Sequence, residues 1–131
     1  GRGAVILSSA TLLLWMAIAI KEPKPDPAPL RPGWLVLPLS EGIELRFLPL
    51  VVTLEDYPKA ARRAGEEGTS HLSLQVDPSG HIIGCTTARS SGSPALDEQA
   101  CQLYRTRGRF ELLGTTRPVT VQAPVKWKLI D

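Results

Sequence analysis

The sequence predicts an α+β protein, with two helices packed on a three-stranded antiparallel sheet behind an N-terminal transmembrane helix and a Pro-rich linker. Three observations predict it. An uncharged apolar run fills Ala4 to Ile20. Proline stands at nearly every second position from Lys21 to Pro32. From Leu54 onward the apolar spacing switches between helical and strand periods, with turn and cap residues at the boundaries.

The apolar run reads AVILSSATLLLWMAIAI between Arg2 and Lys21–Glu22. A spanning helix needs about 20 apolar residues, with roughly 17 as the lower limit. Residues 1–20 are therefore expected to be a transmembrane anchor, with Trp15 and Lys21 near the interface. Arg2 favours the N-terminus inside and the domain outside. The rival is a cleaved secretory signal, for which Ala17-Ile18-Ala19 offers a small-residue cleavage site.

Residues 21–53 are expected to be linker. KEPKPDPAPLRP cannot bury a core and favours extended polyproline II. Trp34 to Val52 is more apolar but interrupted by Pro38, Gly42 and Pro49, which excludes a second spanning helix. Within it, Ile43-Glu44-Leu45-Arg46-Phe47 alternates as a short strand would.

Residues 54–131 are expected to fold. Asp56 is a candidate N-cap for a helix through Ala60–Ala64, with Pro58 in its first turn and Gly65 or Gly68 at its end. Ser70 to Val76 alternates, placing Leu72, Leu74 and Val76 on one face. Asp77-Pro78-Ser79-Gly80 is a turn, and His81 to Ala88 returns with Ile83, Cys85 and Thr87 on one face. Ser93 caps a second helix beginning at Pro94, with Asp97 and Glu98 in its first turn and Arg105 and Arg107 in its last. Its buried stripe is Leu96, Ala100 and Leu103, and Gly108 closes it. Val119 to Ile130 is the last strand. Pro124 within it demands an edge or a bulge, because proline cannot donate to a ladder.

These pieces carry a resemblance. Tyr57-Pro58-x-x-Ala61-Arg62-x-x-Gly65-x-x-Gly68, then Asp77-x-x-Gly80-x-Ile82, then Ser90-Ser91-Gly92, Leu96-Asp97-x-x-Ala100 and Arg109-Phe110, follow in the order and at the spacings of the TonB C-terminal domain family. The chain resembles that family from Tyr57 to its end. The resemblance implies a periplasmic domain anchored in the inner membrane by a single helix, partnered there by ExbB and ExbD. It further implies binding of TonB-box segments of outer-membrane transporters by strand addition, in support of siderophore or cobalamin uptake. The residues it nominates for partner binding are Tyr57, Pro58 and Arg62, with Val119, Val121, Ala123, Val125, Trp127 and Leu129 along the last strand. A homodimer through the same sheet edge stays open. A TolA-like envelope-tethering protein and a secreted binding domain are the alternatives. The sequence departs from the family in three places. The apolar run has no His four residues after Ser8 or Ser9, Leu112 replaces a usual Pro after Arg109-Phe110, and the Pro-rich stretch is short.

Other chemistry finds less support. A net charge of +2 with interspersed signs, and 5% aromatic residues, argue against nucleic-acid binding. Cys85 and Cys101, the only cysteines, are expected to form a disulfide in an oxidising compartment. A zinc site from these with His71 and His81 lacks the ligand spacing of known motifs, so no metal or cofactor is expected. Ser90 or Ser91 with His81 and Asp97 could be cast as a hydrolase triad. They lack a GxSxG elbow, and a loop and a helix cap account for them, so the chain is read as a non-enzyme.

Overall fold

A computed structural model describes residues 28–129. The expected anchor at 1–20 and most of the Pro-rich run lie outside the described residues. Among those described, no helix is long and apolar enough to cross a membrane.

Leu72, Leu74 and Val76 are fully buried, as their alternation predicts, on strand β3 (Gly68–Val76). β3 is the centre of an antiparallel sheet, flanked by β4 (Ile82–Arg89) and β6 (Val119–Trp127) in the order β4-β3-β6. The Asp77–Gly80 turn closes the β3–β4 hairpin, with the Gly80 amide donating to the Asp77 carbonyl at 2.9 Å. One expectation fails there. Val76 pairs with Ile82 and Gln75 with Gly84, so Ile83 is the extra residue of a bulge. Ile82 consequently packs on the core, while Ile83 is left exposed.

Helix α2 (Pro94–Arg107) lies across this sheet and buries Leu96, Ala100 and Leu103. Ser93 caps it by accepting from the Leu96 amide. The Gly108 amide bonds the Tyr104 carbonyl at its end. Cys101 on α2 is disulfide-bonded to Cys85 on β4, with Cα atoms 6.0 Å apart.

The first helix is shorter than expected. Leu54–Asp56 is a single 3-10 turn, and α1 spans only Lys59–Arg63 after Pro58. Asp56 does not cap α1. Its carboxylate accepts from the Thr53 amide and from the Arg107 guanidinium at the far end of α2. A capping box with Thr53 over the 3-10 turn and that long-range ion pair together explain an acid at this position.

The largest departure concerns residues assigned to the linker. Leu35–Ser40 (β1) and Ile43–Leu48 (β2) form a hairpin, and β2 pairs with Arg109–Leu113 (β5) in a second antiparallel sheet ordered β1-β2-β5. The alternating stretch at Ile43–Phe47 is thus a strand, with neighbours on both sides. Register rows Leu35–Phe47–Phe110 and Leu37–Leu45–Leu112 make its inner face apolar. The row Val36–Arg46–Glu111 lies on the other face, where Arg46 donates to Glu44 and to the Ala28 carbonyl, and Arg31 pairs with Glu111. Leu45 and Leu112 join the core of the larger sheet. Gly80 sits at φ +88°, where a Cβ would strike the Phe110 carbonyl, so the hairpin turn and β5 approach as only glycine allows.

Candidate functional site: the outer edge of the last strand

β6 is an edge strand, as Pro124 requires, but it is not bulged. Its pairing with β3 runs without a shift from Gly68–Trp127 to Val76–Val119. Opposite residues in an antiparallel pair alternate between exchanging two hydrogen bonds and exchanging none. Pro124 has no N–H and faces His71, so this pair is of the second kind. The Pro124 carbonyl accordingly points away from β3 and accepts from the Tyr104 hydroxyl at 3.4 Å. Alternation then fixes the rest of the strand. Val121, Ala123 and Val125 direct their backbone groups to Leu74, Leu72 and Ser70. Thr120, Gln122 and Lys126 aim theirs outward.

The nominated residues of this strand thus turn inward. Val121, Ala123, Val125 and Trp127 have buried side chains and backbone groups committed to β3, and Val119 is half-buried. The residues that offer free edge groups are Thr120, Gln122 and Lys126. The signal that finds them is Pro124 itself, since it sets which alternate residues can face outward. Leu129, past the strand, donates its amide to Glu67.

Tyr57 is also internal. It is 6% exposed, meets the Trp127 ring edge-on at 5.2 Å and donates its hydroxyl to the Glu66 carbonyl. Pro58 is half-buried at the start of α1, and Arg62 is exposed on that helix, away from β6 hydrogen bonding. What lines β6 from this side is the stretch before Tyr57. Val52, Thr53 and Leu54 form a shallow cleft with Lys126, Trp127 and Lys128, and Leu50 and Val52 another with Pro124 and Lys126. Among the described residues, no backbone hydrogen bond joins this stretch to β6.

At the other half of the edge, β6 faces the inner surface of the smaller sheet. Leu37, Phe47 and Phe110 with Tyr104 face Gln122 and Pro124 across a groove of about 120 Å³ that no charged side chain lines. Tyr104 and Phe110 stack at 6.3 Å to hold its floor.

The Ser-rich loop has a structural arrangement. Asp97 accepts from the hydroxyls of Ser70, Ser90 and Ser91 and from the Ser91 amide, and Ser70 in turn accepts from the Trp127 indole at 3.1 Å. Burial pushes the Asp97 carboxyl up, but these donors outweigh it and hold it below the usual range. His81, the histidine of that cast, is elsewhere, bonded to Ser79 in the hairpin turn. The Arg107 guanidinium, assisted by Thr53, holds the Asp56 carboxyl down at about 2 against the opposing effect of burial. No cluster of three potential metal ligands exists among the described residues.

Comparison with known proteins fits this architecture. Residues 54–129 match the family described as Gram-negative bacterial TonB protein C-terminal. A 52-residue stretch is 38% identical to Protein TonB of Pseudomonas putida, covering 40% of this chain and 21% of that protein. No solved structure matches. With more than half of its length matched, the chain belongs to the family of Gram-negative bacterial TonB protein C-terminal domains.

Proposed function

We propose that this protein couples the inner membrane to outer-membrane transporters by capturing their TonB-box segments on the outer edge of β6. It is a binding and coupling protein and not an enzyme. Its domain lies in the periplasm, held by the apolar run at 1–20, where ExbB and ExbD are its partners, and siderophore or cobalamin uptake is the process served. One observation carries the reading: among the described residues β6 is an unpaired edge, with Thr120, Gln122 and Lys126 directed outward. An extended peptide pairs with such groups through its backbone, which tolerates varied side chains and suits several transporters. Lys126 and Lys128 side chains contribute little, because exposed charges gain little from pairing.

The test is amide hydrogen exchange with a synthetic TonB-box peptide from an outer-membrane transporter. The reading expects new protection on outward amides of β6. Protection confined to Ser90–Ser93 would falsify it. A homodimer through the same edge would protect these amides without peptide, and more strongly as protein concentration rises.

A further inference from the structure

We propose that the groove between β6 and the smaller sheet is a specificity socket, which takes one aliphatic side chain from a strand paired to β6 at Thr120 and Gln122. The inference rests on the strand-addition reading and narrows it to one half of the edge and one kind of side chain.

The edge is divided at Pro124. That residue offers no N–H, and its carbonyl lies 3.4 Å from the Tyr104 hydroxyl, so an added strand finds no donor there and a partly occupied acceptor. Beyond it, beside Lys126, the chain's own Leu50–Leu54 stretch already flanks the strand. Before it, Thr120 and Gln122 lie open, and Gln122 lines the groove.

The wall opposite is apolar and incompletely covered. Leu37 is 40% exposed and Leu35 is 51% exposed, although both belong to the face that Leu45 and Leu112 bury against the core. The groove's 120 Å³ is on the scale of one aliphatic side chain, given that a cavity of about 150 Å³ accepts a benzene. Backbone groups on one side and an uncharged wall on the other select an extended peptide with an aliphatic residue at one alternate position. A charged residue at that position would be desolvated without a partner.

Val36 provides the internal control. It is 44% exposed, beside Leu37 in the same strand, but on the opposite face with Arg46 and Glu111. Binding of the TonB-box peptide to the 131-residue chain should weaken at least fivefold in L37S and stay within twofold in V36S. In a matching peptide series with each apolar residue changed in turn to Ser, one position should dominate the loss. New amide protection should appear at Thr120 and Gln122. Equal effects of the two protein variants, a flat peptide series, or protection restricted to Lys126 would overturn the socket while leaving strand addition intact. Absence of any β6 protection would overturn both.

Discussion

The two sheets differ in what holds them. In the β4-β3-β6 sheet, Leu72, Leu74, Val76, Val121, Val125 and Trp127 are all buried against α2 and one another. In the β1-β2-β5 sheet only Leu45, Arg46 and Leu112 are buried, while Leu35, Val36, Leu37 and Leu48 remain substantially exposed. The larger sheet is a core with an edge, whereas the smaller is a surface with a toehold in that core. Stability should therefore reside in the first, and adaptability of contact in the second.

Paired truncations would break or sharpen this contrast. Trp127→Ala removes a ring that packs on Tyr57 and donates to Ser70, and should cost about 3–5 kcal/mol in denaturant unfolding. Leu37→Ala should cost less than about 1 kcal/mol. Comparable losses would mean that the smaller sheet is as integral as the larger.

The disulfide belongs to the larger sheet and should stabilise it by about 3 kcal/mol, the chain-entropy scale for a loop of this size. Denaturation midpoints with and without reductant measure it. Unchanged midpoints would show that Cys85 and Cys101 contribute only as small apolar side chains.

A proline scan reads the ladder's phase. Val121→Pro removes an N–H given to Leu74 and should cost about 2–3 kcal/mol, whereas Gln122→Pro should fold nearly normally. The reverse result would invert the assignment of outward groups.

The smallest expected effect is with acid. A carboxylate with a lowered folded pKa stabilises fully above its unfolded value and ceases to do so as pH falls through its folded value. For Asp56 that window lies between about pH 4 and about 2, so unfolding midpoints should decline across it. Asp56→Asn should flatten some of the decline, and an unchanged slope would show that the Arg107 pair carries none of it.

The same contrast explains what the sequence disclosed. Period-2 spacing at Ser70–Val76, the Asp77–Gly80 turn and the Ser93 cap are local signals, and each produced its element. β1 reads LVLPLS, without alternation and with a proline, because its two faces are almost equally exposed. β5 follows α2 directly, and its partner β2 is remote in sequence, so nothing local announces the pairing. Asp56 does cap locally, with Thr53 over the 3-10 turn, but its Arg107 partner is met only in the fold. At the candidate site the strand is legible from its alternation, and its phase is encoded less openly, in Pro124. The groove is invisible in the sequence, because a third of its lining, Leu37, Leu45 and Phe47, comes from residues whose composition reads as linker.

The order of pairing in the β1–β2 hairpin has a mechanical consequence. Leu35, where β1 begins, pairs with Phe47 near the end of β2. Tension on the chain ahead of Leu35 first strains the contacts of Ala28 with Arg46 and of Arg31 with Glu111. It then enters the hairpin at its open end, where the pairs separate in succession instead of sharing the load in shear. Peeling β1 releases about 20 Å of extended chain, at roughly 3.3 Å per residue for its six residues. The β4-β3-β6 sheet and the β2–β5 pairing stay closed meanwhile. Leu37 travels with β1, so the wall facing Gln122 is among the first regions of the fold to yield to a pull.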